Sequence, residues 1–131
     1  MCNADTRAAS DALCPGKPMD HNRDMWEVEE QFISQEIECF RSGVLPCTDH
    51  AKQRMVQRRV TYKDLRTLLL HGKIHEGYAA EQYPRGPEPY KNRHAVRTMS
   101  LTLDGITLTA AIALAYTPQR VEFSVITVYW A

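Results

Sequence analysis

Residues 94–130 read HAVRTMSLTLDGITLTAAIALAYTPQRVEFSVITVYW, and the apolar period within them is two. Asp104-Gly105 is a strong two-residue hairpin signal, so 94–103 and 106–116 are predicted to pair as antiparallel strands. Thr117-Pro118-Gln119-Arg120 supplies the next turn, and Val121 to Trp130 alternates as a final strand. A regular strand there would put Val121, Phe123, Val125, Thr127 and Tyr129 on one face. Glu122, Ser124, Ile126, Val128 and Trp130 would share the other. Strands joined by turns this short must be antiparallel neighbours.

Upstream of this stretch the period is 3.6. From Met25 to about Arg41, Trp26, Ile33, Ile37 and Phe40 recur at helical spacing among five glutamates, with Asp24 suited to cap. Gly43 and Pro46 end that helix. Thr48 or Asp49 can cap a second one, from about His50 to Arg59. Thr61-Tyr62-Lys63-Asp64 predicts a capping box for a third, with Leu65, Leu68 and Leu69 as its core stripe and Gly72 at its C-terminal glycine position. Ile74 to Tyr78 reads as a first short strand, followed by a Pro-, Gly- and Tyr-rich loop to about Asn92. The expected class is therefore α+β: two to three N-terminal helices packed on a four-stranded antiparallel sheet. Residues 1–23 lack periodicity and are expected to be a flexible lead-in, with 24–131 a single domain.

The whole chain of 131 residues fits one domain. No apolar run approaches the roughly 20 residues needed to span a bilayer, and the N-terminus lacks a signal-peptide pattern. A cytoplasmic protein without membrane partners is expected, with delivery from a larger secreted effector as an alternative origin. Cysteines at 2, 14, 39 and 47 show no close Cys-x-x-Cys pairing, so neither zinc nor disulfides are indicated. Net charge is zero but unevenly spread. Residues 1–49 hold 4 basic and 10 acidic side chains, and 50–97 hold 11 and 4. Either the two parts neutralise each other across the fold, or the basic middle faces an anion.

The densest candidate cluster follows Asp49. On a helix His50, Arg54 and either Gln57 or Arg58 rise on one face, with Lys52 and Arg59 nearby. An imidazole can move a proton near neutral pH, and guanidinium forks stabilise charge on phosphate oxygens. A plain solvated basic face is the alternative. Thr127 and Tyr129 could present hydroxyls at a strand end. Arg97 falls in the apolar phase of its strand and needs a partner, either a carboxylate such as Glu76 or a phosphate. Tyr78, Tyr83 and Tyr90, with Arg85, Lys91 and Arg93, would suit base stacking beside a backbone-binding patch, or simply loop packing. No phosphate-cradling glycine loop, Ser-His-Asp order or paired-carboxylate metal motif occurs, so no metal or cofactor is expected.

The run His50-Ala-x-x-Arg54-Met55-x-x-Arg58, Val60, the Leu-rich helix ending at Gly72, Lys73-Ile74-x-Glu76 and the terminal Ile126-Thr127-Val128-Tyr129 together resemble a small domain-of-unknown-function family. Its pattern is HAxxRMxxRxI, then GxIxE, then VITVY. The resemblance covers about residues 47–130 and extends to the RelE-like toxins within the barnase, EndoU, colicin and RelE ribonuclease fold. It implies a metal-independent ribonuclease toxin in which the ribose 2′-hydroxyl attacks the adjacent phosphate. His50 would then be the general base or acid, Arg54 and Arg58 the phosphate clamps, and Thr127 and Tyr129 supporting groups. Lys52, Arg59, Arg85, Tyr90, Lys91, Arg93 and Arg97 would bind RNA, and a cognate antitoxin or immunity protein would be the neutralising partner.

Two alternatives stand beside it. One is a non-catalytic RNA- or protein-binding module of the same fold. The other is an inhibitor or regulator that uses the acidic helix from Asp24 to Arg41. The acidic segment 1–46 could also cover the basic surface, in which case its removal would strengthen RNA binding.

Overall fold

The computed structural model describes residues 23–39, 45–84, 93–116, 118 and 121–130; all of the expected lead-in over 1–23 except Arg23, and the loop tip at 85–92, lie outside them. A single 3-10 turn, Arg23–Met25, leads into α1, Trp26–Cys39. Of the predicted stripe Trp26, Ile33 and Ile37 are buried, and Phe40 lies outside the described residues. Near the end of α1, Arg66 donates to the Ile37 carbonyl at 3.2 Å, satisfying an acceptor that a last helical turn leaves open.

The second helix, α2, spans Asp49–Arg58, capped by Thr48, whose Oγ1 accepts from the Ala51 N–H at 3.1 Å. It ends at Arg59, which is left-handed at φ 55°. The Val60 N–H reaches the Met55 carbonyl at 2.9 Å and the Arg59 N–H the Val56 carbonyl at 3.3 Å. This is a Schellman ending with arginine where glycine is usual. The third helix, α3 (Tyr62–His71), carries the predicted capping box. Gly72 is needed for a different reason from the one expected. Its φ is −71°, which any residue adopts, but an added Cβ would lie 2.6 Å from the Leu68 carbonyl oxygen. Close approach, not backbone handedness, selects glycine there.

The sheet comprises β1 (Lys73–Tyr78), β2 (Ala95–Leu103), β3 (Ile106–Tyr116) and β4 (Val121–Trp130) in that spatial order, all antiparallel. The β2–β3 turn has φ 51° at Asp104 and 83° at Gly105, both positive as a type I′ hairpin demands. The helices pack on one face, where Ile33, Ile37, Leu65, Leu68 and Leu69 meet Met99, Leu108, Ile112, Val125 and Val128. Tyr78, Tyr83, Val96 and Ala111 form a second, smaller cluster with Ile126 packed against it, and it contains no helix residue.

The last strand departs from the expected alternation. Ile112 pairs with Val125 but Ala111 with Thr127, so Ile126 is the extra residue of a β-bulge. Past the bulge every side chain changes face. Val128 joins Val125 in the helix-side core, with Trp130 packed against it. Thr127 and Tyr129 therefore lie on the opposite face from Phe123 and Val125, not on the same one.

Arg97 is fully buried, and its partner is neither a phosphate nor Glu76. Its Nε donates to Glu29 Oε1 at 2.6 Å and its Nη2 to Oε2 at 3.1 Å, while Nη1 donates to the Val96 carbonyl at 3.2 Å. Glu29 belongs to α1 and also accepts from the Tyr116 hydroxyl. Burial and this hydrogen bond to Glu29 hold the Tyr116 hydroxyl well above the ordinary tyrosine range. A second link runs from Glu30, which accepts from the Ile74 N–H at 2.7 Å and pairs with Lys73 at 3.7 Å. The acidic helix thus neutralises cations of β1 and β2. It packs on α3 and β1, whereas α2 packs on β4, so α1 does not cover the basic helix.

Candidate functional site

Position 46–48 is where the site begins. The Val125 N–H donates to the Pro46 carbonyl at 2.7 Å and the Thr48 N–H to the Val125 carbonyl at 2.9 Å, docking this segment on the outer edge of β4 just before the bulge. Thr48 then caps α2, so the helix that carries His50 starts at a fixed point on the sheet edge. Ala51 and Met55 bury into the core and set the rotation of the helix about its axis.

His50, Arg54 and Arg58 consequently share one face, as their spacing predicts. The His50 imidazole is held below its ordinary pKa by burial first, and then by the nearby positive charges of Arg54 and Arg58. A larger share of it is therefore neutral at neutral pH, which is the form a general base requires. Arg54 Nη1 donates to Gln57 Oε1 at 2.6 Å on the surface. Arg58 Nη1 donates to the Val128 carbonyl at 2.6 Å, and Trp130 Nε1 donates back to the Arg58 carbonyl at 2.7 Å. Both bonds lock the end of α2 to β4 beyond the bulge. Thr127 and Tyr129 flank Val128 in sequence and are half-buried, so their hydroxyl-bearing side chains sit round the same edge, on the second face.

Among the other predicted contacts, Lys52 and Arg59 are exposed on α2 and at its end, and Arg93 is exposed just ahead of β2. Arg85, Tyr90 and Lys91 lie outside the described residues. Arg97 is removed from any RNA surface by its burial against Glu29. Tyr78 and Tyr83 are buried too, their ring centroids 5.3 Å apart at 69°, so they pack against each other instead of offering open faces to bases. Cys47 is pushed up to about 11 by burial, which leaves it an unreactive thiol. No group of three or more His, Cys, Asp or Glu side chains among the described residues is placed to share a metal ion. No helix among them is long and apolar enough to cross a membrane. A groove between α1 and the α3–β1 junction is lined by Glu27, Glu30, Ser34, His71 and Lys73, away from the basic helix.

A family model described as a domain of unknown function, DUF4258, matches residues 47–130, a span that runs from the segment docked on β4 to the end of that strand. The chain belongs to the DUF4258 family. No curated protein and no solved structure matches it. The DUF4258 segment contains α2, α3 and the whole sheet. It leaves out α1, although Glu29 of α1 neutralises the buried Arg97.

Sequence reasoning missed the bulge and what it does to β4. The only local sign is that Val125 and Val128, three apart in an otherwise alternating strand, are both strong core residues. His75 is an exposed residue of β1, and its Nε2 lies 2.7 Å from Ser100 Oγ on the second face.

Proposed function

We propose that this DUF4258 domain is a metal-independent ribonuclease of the RelE-like toxin type, cleaving RNA by attack of the ribose 2′-hydroxyl on the adjacent phosphate. The observation that carries the reading is the trio His50, Arg54 and Arg58 on one face of α2, anchored to the β4 edge, with the imidazole biased toward its neutral form. In this reading neutral His50 takes the 2′-hydroxyl proton, the 2′-oxygen bonds to phosphorus, and the bond to the 5′-oxygen breaks. The leaving oxygen collects a proton from water or the Tyr129 hydroxyl, and a 2′,3′-cyclic phosphate remains. Arg54 would pair with the non-bridging oxygens as charge grows there. Lys52, Arg59 and Arg93 would supply sequence-independent attraction to the backbone. A neutralising protein, antitoxin or immunity protein, would be the natural partner of such an activity.

Incubating mixed cellular RNA with the wild type and His50→Ala in EDTA tests this. Cleavage leaving cyclic-phosphate ends, lost in the variant, is the expected result. A well-folded wild type that cleaves nothing rules the reading out. One observation favours a second reading, a binding module without catalysis: the Arg58 guanidinium is already committed to the Val128 carbonyl. RNA binding that survives His50→Ala, without cleavage by the wild type, would select it.

A further inference from the structure

The face of the sheet opposite the helices carries side chains in registered rows. Glu76, Thr98, Ala111 and Thr127 form one row across all four strands, and Ser100, Thr109 and Tyr129 form the next. His75 closes the second row at the β1 side. Its Nε2 is 2.7 Å from Ser100 Oγ, which in turn is 2.8 Å from Thr109 Oγ1. Thr102 and Thr107, 3.0 Å apart, continue the pattern. Threonines are common on a solvated antiparallel face, but this one is graded. His75 and Thr102 are exposed, whereas Thr98 is 1% and Thr109 3% exposed.

At the closed end Thr98 Oγ1 is buried with no hydrogen-bond partner among the described residues. Buried hydroxyls are almost always paired, because leaving one unpaired forfeits its hydration without return. A valine would fill the same space without that cost. The bulge at Ile126 adds to the pattern, since it alone turns Thr127 and Tyr129 onto this face.

We propose that this face binds one nucleoside unit of the RNA, with the His75–Ser100–Thr109 chain as a hydrogen-bonding floor and Thr98 Oγ1 as a group completed by the ligand. The inference rests on the ribonuclease reading and assigns that site its base- and sugar-recognising part. The chemistry favours a neutral ligand rich in donors and acceptors. These rows offer hydroxyls, an imidazole and the Glu76 carboxylate, to which Tyr78 donates at 3.1 Å. The cation that registers with Ser100, Lys73, is paired with Glu30 of α1. Phosphates would be taken by α2 at the adjoining β4 edge. Positioning by the backbone and reading of the base are thus separated onto two surfaces that meet at Thr127–Tyr129.

The test uses the full chain with methyl-labelled threonine and alanine, titrated by NMR with the four ribonucleosides, with ribose and with inorganic phosphate. Ribonucleosides should shift the methyls of Thr98, Thr109, Ala111 and Thr127, and phosphate should leave them in place. Ribose alone producing the same shifts assigns the contacts to the sugar, and a response to one base only assigns them to the base edge. Thr98→Val should weaken nucleoside binding about fivefold, the worth of one ordinary hydrogen bond, with Tm unchanged or raised. His50→Ala should leave the methyl shifts intact. Absent shifts at saturating nucleoside, or a Thr98→Val that binds as wild type does and loses Tm, overturns the proposal. Nucleoside binding without any RNA cleavage would remove the ribonuclease reading and keep the site. His50-dependent cleavage without these shifts would do the reverse.

Discussion

Two ionisable residues, His50 and Arg97, show how placement decides what a side chain can do. His50 keeps enough exposure to titrate, but burial and two guanidinium groups oppose its charging. Its folded pKa therefore lies below the ordinary imidazole value near 6.5, and the unfolded chain binds the proton more readily. This contribution to stability is fully present above that ordinary value and is lost as the pH falls through the window between the two pKa values. Following the His50 ring resonance against pH should give a midpoint below 6.5, and Arg54→Gln should raise it; a midpoint at or above the ordinary value contradicts the cluster. Arg97 is the opposite case, a guanidinium with no exposure whose charge is tolerable only because Glu29 meets it with two hydrogen bonds. Removing one partner strands the other, so Glu29→Ala should cost about 3–5 kcal/mol in denaturant unfolding. Replacing Glu29 and Arg97 together by apolar residues of similar size should recover most of that loss.

At the scale of elements, the ends of helices and the bulged strand β4 carry the information. Arg59 sits left-handed at the end of α2, a conformation that costs a side-chain-bearing residue about 1 kcal/mol. Arg59→Gly should accordingly raise stability by about that amount in chemical denaturation, and if Arg59 also attracts RNA it should weaken binding at low salt. The bulge makes an unusual prediction for β4. Deleting Ile126 would make Val125 and Thr127 consecutive, the order in which they already pair with Ile112 and Ala111. The strand becomes regular with Val128 and Trp130 still facing the helices. The deletion variant should keep a cooperative unfolding transition and lose only about 1–2 kcal/mol, the worth of a half-buried isoleucine. A regular parent strand would instead have its last four residues inverted by the deletion, so complete unfolding of the variant would contradict the bulge.

For the molecule as a whole, the family segment and the folding unit differ. Residues 47–130 match the family, yet Trp26, Ile33 and Ile37 of α1 belong to the main core and Glu29 closes on Arg97. A protein beginning at residue 47 would bare that apolar surface and a buried cation together. It should be insoluble or lack a cooperative thermal transition, whereas one beginning at residue 23 should fold. Removing 1–46 would therefore take core residues away together with the acidic charge. Over its described part the acidic segment is core and counter-ion on the α3–β1 side, and not a cover over α2.

Much of this was legible along the chain because it depends on neighbours in sequence. The Asp104-Gly105 turn, the Thr61–Asp64 capping box, the apolar stripes of the first and third helices and the shared face of His50, Arg54 and Arg58 all follow from periods and local hydrogen bonds. So did the α+β class, since a change of period from 3.6 to 2 near residue 73 orders helices before strands. What tertiary structure alone decided involves partners far apart in sequence. The choice of Glu29 over Glu76 or a phosphate for Arg97 spans 68 residues, and the hold of Arg58 on the Val128 carbonyl spans 70. The bulge at Ile126 belongs to the same class. A strand by itself alternates without interruption, and only pairing with β3 on one side and with residues 46–48 on the other shows where one residue must be left out.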